Sequence, residues 1–166
     1  MSFLKGFLVL LLCGFLTGCS EKVWIIKPFD VSLPNQYSAA KFRVSESGGY
    51  RVALLFVWGE SELDVVRQRK LWGRFGLEEK GTLVPVRLRV TKNNELFFDE
   101  VLLTGGVDSG HAFEYGGVHK SALAREVKSF ALSPGDYSFE IFTMDGVEAF
   151  RGDESYVIFS YYGPKV

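Results

Sequence analysis

The sequence has 166 residues and a formal net charge of −1, and 47% of its residues are hydrophobic. A near-neutral chain of this kind gives no support for binding to nucleic acid or, in bulk, to an anionic membrane surface. The only two cysteines, Cys13 and Cys19, lie near the N-terminus. The rest of the chain therefore has no thiol for nucleophilic catalysis, for a disulfide or for a cysteine-based zinc site.

The N-terminal segment has the layout of a secretory signal peptide. Lys5 is followed by an apolar run over residues 6–16 and then by small residues before Cys19. Signal peptides carry an apolar stretch of about 7 to 15 residues, whereas a helix needs about 20 to cross a bilayer. The segment therefore predicts a signal peptide over residues 1–18, which is removed, rather than a permanent membrane span. A plain secreted protein that is cut nearby is the alternative.

The end of this segment, Leu16-Thr17-Gly18-Cys19, resembles the lipobox of bacterial lipoproteins. The resemblance implies that Cys19 is acylated and becomes the N-terminus of a single domain over residues 19–166. Several acyl chains on one cysteine hold a protein firmly at a membrane, because each buried methylene contributes about 0.8 kcal/mol. Ser20, rather than Asp, follows the cysteine, and in Gram-negative lipoproteins this implies export to the outer membrane, here with the domain facing the periplasm.

Alternation of apolar and polar residues dominates the rest of the chain and predicts strands. Residues Tyr50–Trp58 are apolar on nearly both faces, as in a central strand. Residues Val84–Thr91 alternate, and the turn residues Lys92–Glu95 lead into a returning strand at Leu96–Leu103, so 84–103 is predicted to be a hairpin. Further strands are predicted at Asp30–Leu33, Lys41–Ser45, 123–132, 137–143 and 155–162.

One segment departs from this alternation and predicts a short helix over residues 62–72. The residues Ser61 to Asp64 resemble a capping box, with Asp in place of the usual Glu or Gln. Gly73 is typical of the position that follows a helix. The spacing places Leu63, Val66, Lys70 and Leu71 on one stripe along the helix, and three of these four residues are apolar.

About seven strands with turn signals between them favour an all-β fold, an antiparallel immunoglobulin-like β-sandwich with one short helix. A closed barrel is the alternative. The segments Gly49–Trp58, Gly81–Val90 and Leu132–Tyr137 resemble an uncharacterised family of proteobacterial lipoproteins with an immunoglobulin-like sandwich and no assigned activity. In such a sandwich Tyr137 is either a tyrosine corner or an ordinary aromatic residue of a strand.

The segment Thr104–Ser121 is glycine-rich, contains both histidines and is the first candidate for a site. A metal site would use His111, His119 and a carboxylate such as Asp108 or Glu114. Two histidines eight residues apart match no metal-ligand spacing, so hydrated loop histidines are the plainer interpretation. A hydrolase would pair Ser109 with His111, but the motif G-x-S-x-G is absent. The sequence predicts no bound metal and no cofactor.

A second candidate is the basic end of the predicted helix, where cations surround a tryptophan. Arginine and tryptophan are enriched among the residues that dominate protein interfaces. The plainer interpretation is a solvated last helical turn with a tryptophan packed onto the sandwich, because cations there stabilise a helix on their own account. The residues concerned are Arg67, Arg69, Trp72 and Arg74.

Because no catalytic signature is present, we expect a membrane-anchored, non-catalytic module that binds a protein or another component of the cell envelope. A special case is an immunity lipoprotein that neutralises a toxin delivered to the periplasm. The third alternative is an envelope hydrolase that uses the loop with His111 and His119.

Overall fold

The computed structural model describes residues 22–74 and 79–163, so the predicted signal peptide and Cys19 lie outside the described residues. Nine strands are present in this part of the chain, and one α-helix, α1 (Glu62–Trp72), connects β3 to β4. A short 3-10 helix at Glu148–Phe150 precedes the last strand. The strands are β1 (Trp24–Pro28), β2 (Tyr37–Val44), β3 (Gly48–Val57), β4 (Val84–Lys92), β5 (Glu95–Thr104), β6 (Ser109–Tyr115), β7 (Val118–Leu132), β8 (Gly135–Thr143) and β9 (Ser155–Tyr161).

The strands form two separate sheets. One has five strands in the order β1-β9-β3-β7-β6, and the other has four in the order β2-β8-β4-β5. Every pair of neighbouring strands is antiparallel. The described part of the chain is therefore an antiparallel β-sandwich, as the sequence predicts, rather than one closed sheet.

The order of β3 to β8 follows strands B, C, C′, D, E and F of an immunoglobulin sandwich. The outer positions are exchanged, however, because β9 from the C-terminal part pairs with β3, while β2 from the N-terminal part pairs with β8. Tyr137 lies at the start of β8, and its hydroxyl donates a hydrogen bond to the carbonyl oxygen of Ser133 at 2.9 Å. The hydroxyl bonds back to the chain at the corner that precedes this strand, as in a tyrosine corner.

The main core lies between the two sheets and follows from the alternation of the strands. In β4 the four aliphatic residues Val84, Val86, Leu88 and Val90 are buried, while Arg87 and Arg89 are exposed. The turn to β5 is tight because Asn93 and Asn94 both have positive φ, at 51° and 68°. Two such residues are what a two-residue hairpin of the favoured twist requires, so the predicted hairpin 84–103 is confirmed.

A second, smaller cluster lies on the outer face of the five-stranded sheet. The rings of Phe113 on β6 and Tyr156 on β9 meet edge to face at 5.3 Å, although β3 and β7 separate those strands. Trp24 and His111, from the two edge strands, approach to 5.8 Å. The sheet is therefore coiled towards its outer side, and β3 is buried on both faces, as predicted for a central strand. The buried members of this cluster are Ala53, Leu55, Phe113, Ala122, Ala124, Tyr156 and Ile158.

The opening strands differ from the prediction. Residues Asp30–Leu33 form a turn instead of a strand, since the Asp30 carboxylate accepts hydrogen bonds from the backbone N–H and the hydroxyl of Ser32. An aspartate that binds the backbone two residues further on stabilises a turn. The first strand is β1, which is short and lies at the edge of its sheet. The second predicted strand is present as β2 and is longer than expected.

Helix α1 has the predicted bounds, but it presents a different side to the sandwich. The Ser61 hydroxyl accepts a hydrogen bond from the backbone N–H of Asp64, and Gly73 ends the helix with φ of 87°. The buried residues are Gln68, Leu71 and Trp72, so the predicted stripe is wrong for Leu63 and Val66, which are exposed. Gln68 helps to hold this orientation, because its side chain accepts from the Gly59 N–H and donates to Asp153.

The two ends of the sandwich carry different parts of the chain. At one end, which we call the N-terminal end, the backbone N–H of Tyr161 donates to Val23 and that of Tyr162 donates to Gly49, at the start of β3. The last residues of β3 lead to α1 at the other end, which we call the helix end. A strand rises roughly 3.3 Å per residue, so β3 separates the two ends by its whole length.

Arg125 joins the helix to the sandwich from inside the core. Its fully buried guanidinium donates to three backbone carbonyl oxygens, those of Trp72 at 2.7 Å, Thr82 at 2.8 Å and Gly106 at 2.8 Å. Its charged plane also lies over the rings of Phe56 and Phe150. Burial lowers the pKa of Arg125 to about 10, so the group still carries its charge at neutral pH.

We expect the substitution Arg125→Met to lower the free energy of unfolding by about 3 kcal/mol, because it leaves three buried carbonyl oxygens without a donor. Urea denaturation at pH 7 measures the change. The matched control is Arg43→Met, which removes an exposed pair with Asp136 and should cost much less, because exposed ion pairs contribute little to stability. Equal losses for the two variants would contradict this role of Arg125.

Candidate functional site

The segment predicted as a histidine-bearing loop is a hairpin. Strand β6 and the start of β7 occupy most of it, and Gly116 and Gly117 make the turn with positive φ of 60° and 77°. The loop prediction is therefore wrong, because Gly116 and Gly117 form the turn between two strands while Gly110 lies inside β6, whose residues alternate. His111, Phe113 and Tyr115 are the alternate residues that carry the signal.

The two histidines lie apart on this hairpin. His119 lies opposite Glu114, whereas His111 lies opposite Ala122, three residue pairs further along. Asp108 and His111 share one cluster and His119 belongs to a different surface, so the three predicted site residues do not form one site. Within residues 22–74 and 79–163 no three His, Cys, Asp or Glu side chains are grouped so that they could hold a metal ion.

Asp108 and His111 meet around Arg51, whose side chain is buried on the outer face of β3 with 3% exposure. The Nη2 atom of Arg51 lies 2.6 Å from Nε2 of His111 and 3.3 Å from the Ser109 hydroxyl. Its Nη1 atom lies 3.4 Å from the Asp108 carboxylate, and the guanidinium lies 4.4 Å from the ring centre of Tyr162. We call these five residues the Arg51 cluster.

The Arg51 cluster has the side chains of a hydrolase but a different geometry. The Ser109 hydroxyl donates to Asp108 at 2.6 Å and lies 3.4 Å from Nε2 of His111. Arg51 is a donor only, so Nε2 of His111, which lies closer to Arg51 than to Ser109, accepts a hydrogen bond from the guanidinium. The nitrogen that would have to take a proton from Ser109 is thus occupied by the arginine. This arrangement joins β3 to β6 rather than activating a nucleophile.

The charge of Arg51 also acts on His111. Burial, and next the positive charge of Arg51, lower the pKa of His111, while Asp108 opposes the shift. The imidazole is therefore neutral at pH 7. Sequence reasoning missed Arg51, although a single arginine inside an apolar strand is a signal of a buried partner.

A second surface, which we call the helix-end cleft, brings together one residue from each predicted set. Arg67 of α1 and His119 of β7 both line this cavity of about 430 Å³, together with Trp58, Lys120 and residues 152–154. Arg67 forms a salt bridge with Asp153, whose side chain is buried, and Gln68 donates to the same carboxylate. Lys120 donates to Glu154 at 2.9 Å. The cleft is polar and holds charges of both signs.

The predicted arginine and tryptophan interface is dispersed. Trp72 is completely buried and packs on the rings of Phe56 and Trp58. An interface centred on this residue is therefore wrong, because α1 turns the side that bears Trp72 into the core. Arg67 points to the helix-end cleft, Arg69 is exposed, and Arg74 forms an exposed pair with Glu79 at 3.5 Å.

Comparison with known proteins agrees with this architecture. The chain has the fold of antiparallel β-sandwich proteins, and it is similar to the crystal structure of GEBA250068378 from Sulfurospirillum deleyianum. The TM-score is 0.67 at 20% sequence identity, over 84% of this chain and 97% of that chain. A likeness at this identity concerns the fold.

The family is shown by the sequence itself. A family described as a domain of unknown function, DUF5625, matches residues 26–161. The chain therefore belongs to this family, and the match runs from β1 to the end of β9. No curated protein matches the chain. No helix in the described ranges is long and apolar enough to cross a membrane.

We expect the free energy of unfolding to fall as the pH is lowered from 7 to 5. His111 has its pKa lowered in the folded chain, so below the unfolded pKa of about 6.5 the unfolded chain takes up a proton that the folded chain resists. Urea denaturation across this range measures the slope. In His111→Gln, which keeps an acceptor for Arg51, the free energy of unfolding should change less with pH. The difference in unfolding free energy between the two proteins at pH 8 gives the packing cost of the substitution alone. Identical slopes in the two proteins would refute the assignment.

Proposed function

We propose that this chain is a lipoprotein of the bacterial outer membrane, anchored through Cys19, whose sandwich is a non-catalytic module that binds a protein or another envelope component in the periplasm. One observation carries the proposal. The described chain starts at the N-terminal end of the sandwich, whereas the cleft and most exposed apolar side chains lie at the helix end.

The short connection supports an anchor close to the sandwich. Trp24 begins β1 only five residues after Cys19. Five residues of fully extended chain span at most about 18 Å. The N-terminal end therefore lies next to the membrane when Cys19 carries lipid. Trp24 is exposed there, and the Lys22 ammonium lies 5.1 Å from the ring centre of Tyr161. Tryptophan, tyrosine and lysine are residues that suit a membrane–water interface.

The helix end then faces away from the membrane and is available to a partner. It carries the helix-end cleft and a concentration of exposed apolar side chains, and exposed apolar patches on soluble domains often mark sites of protein association. The charges in the cleft are partly paired with each other, so they favour orientation and selectivity more than tight binding. The exposed apolar residues at this end include Leu33, Leu63, Val66, Leu83, Val118 and Met144.

The geometry around His111 supports a module without catalysis. The imidazole nitrogen nearest to Ser109 accepts a hydrogen bond from Arg51. A general base would need the lone pair of this nitrogen to be free to take the serine proton. The hydrolase alternative depends on that pair, and the other histidine lies in the helix-end cleft.

Cys19→Ser should abolish recovery of the chain in the membrane fraction, because no acyl chain can then be attached. Immunoblots of soluble and membrane fractions from cells that express the full chain measure the distribution. Cys13→Ser, within the segment predicted to be removed, is the matched control and should stay with the outer membrane. Persistent membrane recovery of Cys19→Ser would count against the anchor.

The double substitution Val118→Glu with His119→Ala should reduce capture of envelope partners about tenfold, which corresponds to a loss of about 1.4 kcal/mol. Both residues are exposed and line the helix-end cleft, so the fold and the anchor should be unaffected. Crosslinking in intact cells, followed by purification and mass spectrometry, measures capture. Lys41→Glu, an exposed change on the four-stranded sheet, is the control. Identical partner sets for both variants would remove the cleft as the binding surface.

A further inference from the structure

Helix α1 exposes apolar side chains that the sandwich could have buried. Leu63 is 84% exposed and Val66 is 56% exposed, because Gln68, Leu71 and Trp72 fix the other side of the helix against the core. A leucine placed this openly gains nothing from its own fold. The two residues are one turn apart and therefore lie next to each other on the same side of the helix.

A groove runs beside these two residues. It has a volume of about 490 Å³ and is lined by the helix, by Thr82 and by Ala149. Leu63 and Val66 form one wall, and Leu71 lies deeper. The same face thus holds a projecting side chain and an apolar recess that could receive one.

The charges on α1 are separated along its axis. The acidic residue Glu62 is in the first turn and the basic residues Arg69 and Lys70 are in the last, and all three are exposed. The helix dipole favours this order, but it gives no reason for an exposed leucine between the charges. An antiparallel second copy of the helix would place the acidic turn of each copy against the basic turn of the other.

We propose that two copies of this chain associate through α1, with their helices antiparallel and a two-fold axis passing close to Val66. Glu62 of each copy then faces Lys70 of its partner, and Leu63 of each copy enters the groove of the other. An interface with two-fold symmetry must be complementary to itself, and this face is complementary in both charge and shape. The pairing goes beyond the proposed binding function, and only its strength at a membrane rests on the proposed anchor.

The size of the contact sets its strength. A helix of 11 residues is about 16 Å long, so a pair of them buries less than the roughly 1,200 Å² of a stable interface. The dimer is therefore weak for a chain free in solution. Attachment of both copies to one membrane raises their effective concentration and favours the pair.

A disulfide at the two-fold axis tests the geometry. In the full chain, purified in detergent and oxidised with copper phenanthroline, Val66→Cys should give at least about tenfold more covalent dimer on a non-reducing gel than the unsubstituted chain. The unsubstituted chain reports any crosslinking through Cys13 or Cys19. Leu96→Cys, an exposed residue of β5, is the matched control. Equal dimer formation by Val66→Cys and Leu96→Cys would overturn the proposal.

Reversal of charges tests the orientation of the helices. Glu62→Lys and Lys70→Glu should each weaken association about tenfold, because symmetry repeats every repulsive contact, and the two substitutions together should restore it. Sedimentation equilibrium measures association, and circular dichroism verifies that each variant is folded. For an acidic peptide of another protein bound to the same face, Lys70→Glu alone would abolish binding, and the double variant would not restore it. That pattern, or a monomer at every concentration, would refute the pairing of α1 with itself.

Discussion

The architecture depends on one buried cation, Arg125, which binds three separate segments of backbone. Its partners are Trp72, the last residue of α1, Thr82, two residues before β4 begins, and Gly106 in the connection into β6. Each of these segments joins the two sheets or leads from one to the other. The guanidinium also meets the negative end of the helix dipole, which favours a cation at that place. Among the described residues no carboxylate pairs with this charge, which is stable in the core because carbonyl oxygens surround it and aromatic rings cover it.

The position of α1 follows from that constraint, and the surface properties of the helix end follow from the position of α1. With Trp72 held in the core, Gln68 reaches Asp153, and Arg67 binds the same carboxylate from the solvent side. The helix-end cleft is thus built around a buried acid. The same rotation of the helix leaves Leu63 and Val66 outside. One buried contact therefore determines both a polar surface and an apolar surface.

A second buried arginine, Arg51, works in a different way. Whereas Arg125 binds backbone carbonyls, Arg51 binds side chains of a distant strand, and within residues 22–74 and 79–163 its Nε atom has no hydrogen-bond partner. The coiling of the five-stranded sheet brings those side chains within reach, and the small residues Ala53, Ala122 and Ala124 make that coiling possible because they leave room for aromatic rings from the other strands. The polar cluster and the outer apolar cluster are two parts of one closely packed face.

Local patterns in the sequence were sufficient for much of the fold. The alternation in 84–103, the Asn93–Asn94 turn, the cap at Ser61 and the ends of α1 are all properties of neighbouring residues, and they were predicted correctly. The short edge strand β1 and the glycine-bearing strand β6 were missed because their stability comes from pairing with distant strands. The side of α1 that is buried depends on Gln68 and Asp153, which lie far apart in the sequence.

The candidate site shows the same difference between features set by neighbouring residues and features set by residues distant in the sequence. Asp108 and His111 were selected for their residue types, and they do lie together. Arg51, which organises them, is hidden in an apolar strand on another part of the chain. His119 was grouped with them because it is near in sequence, but the hairpin register sends it to the helix-end cleft. For Trp72 the plainer interpretation, a tryptophan packed onto the sandwich, is the one that the structure shows, and the interface interpretation is wrong.

The exchanged outer strands have a mechanical consequence. The first described strand, β1, pairs only with β9, and β9 in turn pairs with the central strand β3. A force applied between the N-terminus and the helix end acts along the length of β1. This strand begins at the N-terminal end of the sandwich, runs towards the helix end and pairs with β9 along its whole length. The hydrogen bonds between β1 and β9 are then loaded together in shear, instead of being opened one after another from an end. A pull on the N-terminus thus loads this edge strand in the direction in which it resists extraction best.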